Sequence, residues 1–372
     1  MAKKETLSTI QLVKNAAEIF HNARWANGIV VCPYCGSMHI TEKDNYHYKC
    51  NSCKNRFTDK TNTMLHGSKL SISTWMLGIY YMMIDKGQTS TELSIKLGVN
   101  QKTAWLMQAK LRYSLTQDVV RLQGMIAQDE MYIGGSLSNY HYSRKWDLLR
   151  KGKFINGDEK RYSKTALFAL NSSLKQPVFG MTDGNNVVLY ATPNPIKKEY
   201  LHMVYGKHVS GDSITVSDES KLYNDWEEIT GAKIYTNNHH NNQYITDGGL
   251  TSNAIENKFS WFKRPFNGKQ THCSRKYLQL YLNEYSFRYN TRNLTTHECL
   301  NIVIGMMEGK HITYQELKDM KPYTMFETTK TYKALKEKKE KEQGIINSLI
   351  GYNLIGYSLI TDIEDSNHKH YK

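Results

Sequence analysis

The sequence predicts an α/β protein in which a cysteine-based metal site and a group of short helices precede the sheet. Three observations indicate this organisation: two Cys-x2-Cys pairs, capped helical patterns after residue 72, and a strand-like run MIAQDEMYI at 125–133. The run is nearly continuous in apolar residues and ends at two glycines, as expected for a central strand buried on both faces. A chain of 372 residues has room for two or three domains of about 100–200 residues each.

The charge of the chain favours a polyanionic partner. Lys and Arg number 49 against 35 Asp and Glu, a net charge of +14, which is typical of nucleic-acid binders and less often of membrane-surface proteins. Residues 144–164 hold 8 basic and 3 acidic groups, and residues 258–276 hold 6 basic and no acidic groups. Two solvated surfaces would explain these basic stretches equally well.

No segment is predicted to enter a membrane. The N-terminal residues lack the apolar core of a signal peptide. The longest apolar run, at 75–84, is interrupted by Gly78 and is shorter than the ~20 residues that a spanning helix needs. We therefore expect a cytoplasmic protein without a membrane partner, in which tightly paired cysteines indicate a metal site rather than disulfides.

Four cysteines form a predicted zinc site. They are Cys32, Cys35, Cys50 and Cys53. The two pairs are separated by a 14-residue spacer, and four thiolates close a tetrahedral Zn²⁺ site without an open position, so the site would be structural. The alternating strand pattern at 46–49 is typical of a zinc ribbon. His39 and His47 are possible rival ligands, and four unrelated free cysteines are the less favoured alternative at this spacing.

The region after the cysteines is predicted to contain a helix-turn-helix. A core helix is expected at 72–84, and a capping box beginning at Thr89 starts a second helix that stops at Gly98. Asn100 can cap a third helix, and two short helices around a glycine-containing turn form a helix-turn-helix. The first turn of the third helix presents side chains suited to base edges and phosphates, namely Gln101, Lys102 and Thr103. An ordinary helical hairpin is the alternative.

Further strands and helices are predicted after the central strand. The strands are expected at 166–170, 187–191, 214–217 and 233–235, and the helices at 197–205, at 221–229 and from residue 254 to Pro265. Such alternation predicts a layered α/β domain.

Three carboxylates of this domain are candidate metal ligands. Asp129 interrupts the apolar central strand, where an unpaired buried carboxylate is costly, so it needs a cation, a hydrogen-bond network or an opening to solvent. Asp218 ends a later strand, where α/β sheets gather their ligands. Glu256 lies on an amphipathic helix. Structural alternatives exist, because Asp218 could cap the next helix and Glu256 could complete a capping box with Asn253.

Several motifs, in order along the chain, resemble those of the DDE transposases of bacterial insertion sequences. The resemblance is to the ISXO-like group with an N-terminal zinc ribbon. The matching segments are YKCNSCKNRF at 48–57, GVNQKTAW at 98–105, DEMYIGG at 129–135, SDE at 217–219, SNAIE at 252–256, FKR at 262–264, SRKYL at 274–278 and EYSFRYNTR at 284–292.

This resemblance implies an RNase H-like catalytic domain with a mixed sheet, in which Asp129, Asp218 and Glu256 hold Mg²⁺ or Mn²⁺. It implies a transposase that binds the terminal repeats of an insertion sequence and catalyses metal-dependent DNA cleavage and strand transfer. Its partners would be DNA at the element ends and the target, and further copies of the chain on that DNA. No small-molecule substrate is expected, and the protein would associate with the bacterial nucleoid. Basic candidates for contacts with DNA are Arg144, Lys145, Lys263 and Arg264.

Four regions are therefore expected along the chain. They are a zinc ribbon region at 1–66, a helix-turn-helix DNA-binding region at 67–120, an RNase H-like DDE catalytic domain at 121–295 and a C-terminal helical tail at 296–372. Two positions depart from the family pattern, since Thr251 stands where histidine is usual and Asn62 where glycine is frequent. The alternative function is a transposase-derived DNA-binding protein without catalysis, in which the carboxylates are structural.

Overall fold

Two β-sheets and a set of helices form the part of the chain that the structure describes. The computed structural model describes residues 8–44, 46–84, 87–134, 140–152, 163–209, 213–218, 221–224, 226–237, 253–267 and 273–321. The strands are β1 (Ile40–Glu42), β2 (His47–Cys50), β3 (Arg56–Thr58), β4 (Met125–Ile133), β5 (Gln176–Thr182), β6 (Val187–Ala191), β7 (Ile214–Asp218) and β8 (Ile234–Asn237). The helices are α1 (Thr9–Lys14), α2 (Ala16–Arg24), α3 (Ile72–Ile79), α4 (Ser90–Leu97), α5 (Gln101–Ser114), α6 (Tyr142–Lys151), α7 (Lys164–Leu174), α8 (Lys198–His208), α9 (Trp226–Thr230), α10 (Asn253–Asn267), α11 (Leu278–Asn290), α12 (Thr296–Met307) and α13 (Tyr314–Asp319). Among these helices, none is long and apolar enough to cross a bilayer.

The first sheet is antiparallel, and the second cysteine pair begins at Cys50, the last residue of its central strand. β2 lies between β1 and β3, and the buried rings of Tyr48 and Phe57 stack with centroids 5.1 Å apart. The buried carboxylate of Asp59 accepts a hydrogen bond from Trp25 Nε1 at 2.8 Å and contacts His21 Nδ1 at 3.0 Å. These polar contacts attach the small sheet to α2.

The next helices begin and end where their capping residues predict. Thr89 and Glu92 form a capping box at the start of α4, with the Glu92 amide N–H donating to Thr89 Oγ1 at 3.1 Å. α4 ends at Gly98, whose φ of 64° is the left-handed conformation of a helix C-cap. Asn100 Oδ1 accepts from the Thr103 amide N–H at 2.8 Å at the start of α5. The predicted caps of both helices are confirmed.

One hydrophobic core joins the N-terminal helices to the helices near the end of the described chain. Trp75 on α3 and Leu111 on α5 are buried in the same cluster as Leu300 on α12 and Leu317 on α13. The helices after residue 278 therefore pack against elements that precede the large sheet in sequence.

Asn62, which stands where the family pattern often has glycine, has a left-handed backbone conformation. Glycine adopts this conformation readily. The φ of Asn62 is 57°, in the left-handed region where glycine and asparagine are tolerated best. The Asn62 carbonyl accepts from the Gly309 amide N–H at 2.8 Å. This turn therefore connects the segment after β3 with the end of α12.

The second sheet is mixed and has the order β6-β5-β4-β7-β8. β5 pairs antiparallel with both β4 and β6, whereas β7 pairs parallel with β4 and β8 pairs parallel with β7. Every residue of β5 and β6 is buried. The run at 125–133 forms the central strand, as predicted.

The prediction of a strand at 166–170 is wrong, because these residues lie in α7 and the strand beside β4 is β5 instead. A short apolar run fits a helix or a strand equally well by periodicity. Ala166 and Leu170, four residues apart, form a helical face packed on α6. β5 has a weak sequence signal because it contains Pro177 and Gly180, two residues that are depleted in strands.

Side-chain amides bond the free edge of β6. The amides belong to Gln117, Gln279 and Asn290, and they contact the backbones of Leu189, Ala191 and Val187. Gln117 donates to the Leu189 carbonyl at 2.7 Å and accepts from its N–H at 2.8 Å. Asn290 makes the same two-way contact with Val187. Because an unpaired edge invites association with other strands, these amides take the place of a further strand.

A buried ion pair between α5 and α11 makes a testable contribution to stability. Arg112 Nε donates to Glu284 Oε2 at 2.6 Å, and the two side chains are only 4% and 6% exposed. We expect Glu284→Ala to lower the free energy of unfolding by about 3–5 kcal/mol, because it leaves the Arg112 charge buried without its partner. Denaturant unfolding at neutral pH measures the loss.

The control for this prediction is the more exposed pair of Lys207 and Asp118. Asp118→Ala should cost less than about 1 kcal/mol, because solvent screens an exposed pair. Equal losses for the two variants would show that burial does not determine the effect.

Candidate active site and metal centre

The four cysteines that the sequence predicts as zinc ligands lie together. Their Sγ atoms are all within 4.8 Å of one another, with 3.6 Å between Cys32 and Cys53 and also between Cys35 and Cys50. Zinc–thiolate distances of about 2.3 Å in a tetrahedron require sulfur separations of about 3.8 Å. The cluster therefore has the size that a zinc ion needs.

The backbone favours the thiolate form of Cys50 within this cluster. The Cys53 amide N–H donates to Cys50 Sγ at 3.5 Å, and this hydrogen bond is the main cause that lowers the pKa of Cys50 to about 6. Thiolates, rather than thiols, are the ligands of zinc. The possible rival ligand His47 contacts the Asp44 carbonyl through Nδ1 at 3.0 Å. The donor set fits a structural Zn²⁺ held by cysteines alone.

Asp129 lies near the middle of β4 with a partly buried side chain. Its backbone pairs with Gly180 on β5, and its Oδ1 accepts from the Glu130 amide N–H at 2.7 Å. Side chains alternate along a strand, so Asp129 shares a face with Ala127 and Met131. Both of these residues are buried in the cluster that includes the apolar side of α10. The strand-centre carboxylate is therefore on the face that α10 covers.

The pairing of β4 with β7 runs toward Asp129 on one strand and Asp218 on the other. The strands pair in parallel up to Ala127 opposite Val216. Continued for two residues, the same register sets Asp218, the last residue of β7, opposite Asp129. On this extension of the register, the two residues occupy corresponding positions on adjacent strands; the Asp218 side chain is outside the described part of the structure.

α10 covers β4 and carries Glu256. Its apolar residues Ile255, Phe259 and Phe262 are buried with the side chains of β4 and β5, which fixes the helix on the sheet. Glu256 is exposed beside this buried stripe. α10 begins at Asn253, and Glu256 lies in its first turn. The strand and the helix that carry two predicted carboxylates therefore meet at one face of the sheet.

Gly180 permits the close packing of α10 on the sheet. A Cβ at this position would lie 2.5 Å from Cε1 and 2.8 Å from Cζ of Phe259. We expect Gly180→Ala to displace α10 from β4 and to lower the free energy of unfolding by about 1–3 kcal/mol. Phe259→Leu in the same chain should recover part of this loss. A double-mutant cycle of unfolding free energies measures the recovery, and strictly additive losses would contradict the contact.

The residues predicted to contact DNA lie on three helices. They are Gln101, Lys102 and Thr103 on α5, Arg144 and Lys145 on α6, and Lys263 and Arg264 on α10. Lys263 and Arg264 are exposed, and Lys263 lies about two turns from Glu256 on the same side of α10. Arg144 is exposed, with its guanidinium 5.3 Å from the ring centroid of Tyr140. α10 therefore carries positive charge next to a predicted catalytic carboxylate.

Glu130 has an environment different from that of Asp129, its neighbour in sequence. The Tyr223 hydroxyl donates to Glu130 Oε1, and Tyr223 packs edge-on against Trp226 with ring centroids 5.3 Å apart. Alternation along β4 sets Glu130 on the face opposite to Asp129. The sequence did not predict this contact. It gives Glu130 a hydrogen bond to an aromatic residue on the opposite face of the sheet from Asp129.

Two segments of the chain match known family models. Residues 121–290 match the family model of the ISXO2-like transposase domain, and residues 14–56 match that of the transposase zinc-ribbon domain. An uncharacterized protein in the transposable element ISH50 of Halobacterium salinarum is 25% identical over 161 residues, which are 41% of this chain and 54% of that protein. The chain thus spans about half the length of that relative. No solved structure matches the chain.

Proposed function

We propose that this chain, which belongs to the ISXO2-like transposases with an N-terminal zinc ribbon, cleaves DNA at the ends of an insertion sequence and joins those ends to target DNA. The observation that carries the proposal is the register of β4 and β7 beneath α10. It supports a common site for Asp129, Asp218 and Glu256, since they come from three elements that are neighbours in the fold.

The order of strands in the large sheet supports an RNase H-like catalytic domain. Counted from β4, the order is 3-2-1-4-5, in which the second strand is antiparallel to its neighbours. In this proposal the first carboxylate lies on the first strand, the second at the end of the fourth and the third on a later helix. That sequence of positions is the one that the family resemblance implies.

The carboxylate oxygens of this site suit Mg²⁺ or Mn²⁺ better than a softer ion. Two such ions, when bound, would activate the attacking water or 3′-hydroxyl and stabilise the leaving oxygen in an in-line displacement at phosphorus. Asp129 is oriented for this task by the rigid central strand and by the Glu130 amide. Exposed Lys263 and Arg264 would attract the phosphates that flank the scissile bond.

The zinc ribbon and the α4–α5 pair are proposed to recognise the terminal repeats of the element. Gln101, Lys102 and Thr103 lie on the first turn of α5, which is the part of a recognition helix that contacts base edges in helix-turn-helix proteins. Arg144 and Lys145 on α6 are proposed to line the path of the DNA. Because two element ends must be joined to one target, we propose that copies of the chain assemble on DNA.

A cleavage and strand-transfer assay with the zinc-loaded, full-length protein tests the proposed function. A plasmid carrying the ends of the element is incubated with Mg²⁺, with Ca²⁺ or without added divalent ion, since a chelator would also remove zinc. We expect cuts at the ends and joining to target DNA in Mg²⁺. Specific binding without cutting in Mg²⁺ would instead support the DNA-binding protein without catalysis.

A further inference from the structure

We propose that an aromatic cluster flanked by cations, between α10 and α11, is a stacking site for an unpaired nucleobase of the DNA substrate. This aromatic–basic cluster consists of Trp261, Tyr285 and Tyr289 with Lys258, Arg264, Arg288 and Arg292. The inference rests on the proposed function, because it assigns a second contact with DNA to the same catalytic domain.

Trp261 is the member of the cluster that is available to a base. Its side chain is 38% exposed, whereas the neighbouring Phe262 is 1% exposed. Its ring centroid lies 4.6 Å from that of Tyr285 and 5.7 Å from that of Tyr289. The Tyr285 hydroxyl donates to the Lys258 carbonyl at 2.9 Å, which joins α10 to α11. The indole is therefore held by two rings while part of its surface remains in solvent.

Two cations contact the aromatic ring of Tyr289. Lys258 Nζ lies 4.7 Å and the Arg292 guanidinium 4.1 Å from the ring centroid of Tyr289. Arg292 Nη1 also donates to the Asn185 carbonyl at 2.7 Å, so its position is fixed by the backbone. A ring with cations at its face is well suited to lie beside a phosphate.

Among the described residues, the cations of the cluster outnumber the acid that pairs with them. Burial raises the pKa of Tyr285, while the charges of Arg264 and Arg288 oppose that rise, so both guanidinium groups act on its hydroxyl. Glu284 is the acidic residue of α11; it is buried, with Arg112 at 2.6 Å and Arg288 at 3.8 Å, so it offsets part of the charge of Arg288 only. The segment at 258–276 contains no acidic residue. The surface around Trp261 is therefore cationic.

The cluster lies close to the proposed catalytic carboxylate on the same helix. Trp261 follows Glu256 by five residues, which corresponds to about 7.5 Å along α10 and about 140° around its axis. Ser260 and Arg264 lie between the two side chains on the solvent side, and both are exposed. A DNA strand that leaves the carboxylates can cross this exposed surface to reach the indole.

The chemistry of the cluster fits an unpaired base rather than a duplex. In the interior of a duplex both faces of each base are covered by neighbouring bases, so an indole can stack there only on a base that is unpaired or extruded. Stacking of this kind tolerates any base, and adjacent cations follow the phosphates. We therefore expect little dependence on base sequence at this site.

Binding of a labelled single strand tests the stacking site. Full-length, zinc-loaded protein is titrated with a short fluorescent oligothymidine and with a duplex of unrelated sequence, in Ca²⁺ so that no cleavage is expected. Trp261→Ala should weaken single-strand binding about 5- to 100-fold and change duplex binding less than about twofold. Trp261→Phe should retain a substantial part of the single-strand affinity, because it keeps an aromatic face.

Tyr314→Ala is the matched control, since Tyr314 is 59% exposed on α13 and lies outside the cluster. It should bind the single strand as the wild type does. Unchanged single-strand affinity in Trp261→Ala, or equal losses for single strand and duplex, would overturn the stacking site. Single-strand binding in Ca²⁺ requires no cleavage, so this assay remains valid even if the proposed catalytic function fails.

Discussion

Asp129→Asn is expected to lower the rate of Mg²⁺-dependent DNA cleavage by at least about 10³-fold. The change removes a charged oxygen ligand at the centre of β4 but keeps the size of the side chain and its contact with the Glu130 amide. A bound divalent ion contributes several kcal/mol of transition-state stabilisation, and about 1.4 kcal/mol corresponds to a factor of ten in rate. Single-turnover cleavage of DNA that carries the element ends measures the effect.

Glu130→Gln is the matched control for this variant. It neutralises the adjacent carboxylate of the same strand, but on the opposite face, and glutamine keeps an oxygen that can accept from the Tyr223 hydroxyl. We expect it to cleave at close to the wild-type rate. If Asp129→Asn cleaved as fast as Glu130→Gln, the assignment of Asp129 as a metal ligand would be wrong.

The helices near the N-terminus could be predicted because their ends are encoded locally. The capping box of Thr89 with Glu92, the left-handed Gly98 and the Asn100 cap each involve residues within four positions of one another. The alternating pattern of β2 and the spacing of the cysteines are equally local. None of these signals depends on what the rest of the chain does.

β5, which pairs with β4, could not be predicted because residues that are distant in sequence determine which side chains fit in it. Gly180 is required where Phe259 packs against the sheet, and that contact joins segments far apart in sequence. The segment at 166–170 is a short apolar run whose periodicity fits a helix or a strand, and it packs on α6 as a helix. Tertiary contacts therefore override the local preference at β5, whereas the helix at 166–170 agrees with the helix propensity of Ala and Leu.

The candidate active site was predictable to different degrees at its three positions. A carboxylate inside an apolar strand already distinguishes Asp129, because burial without a partner is costly. Asp218 and Glu256 each have a capping alternative in the sequence, and they stay predictions. The β4–β7 register adds an argument for Asp218 that depends on strand pairing, which composition and spacing do not reveal. The exposure of Trp261 is likewise a property of the folded surface.

Cys50→Ser is expected to abolish zinc binding and to unfold the first sheet while the second sheet remains folded. The strands of the first sheet are only 3, 4 and 3 residues long, so they bury too few side chains to be stable without the metal. A structural zinc site supplies about 10 kcal/mol or more of folding free energy. Zinc content and thermal unfolding, followed by circular dichroism, measure both parts of the prediction.

Cys273→Ser controls for the loss of a thiol, since Cys273 lies outside the four-cysteine cluster, and it should keep one zinc ion per chain. Stoichiometric zinc in Cys50→Ser, or unfolding of both sheets in one transition, would contradict the prediction.

We expect unfolding to be confined to the first sheet, because this sheet shares no strand with the second. It is attached to α2 by the polar contacts of Asp59. If the ribbon recognises the element ends, Cys50→Ser should lose specific binding that Asp129→Asn retains, so the two variants separate recognition of DNA from its cleavage.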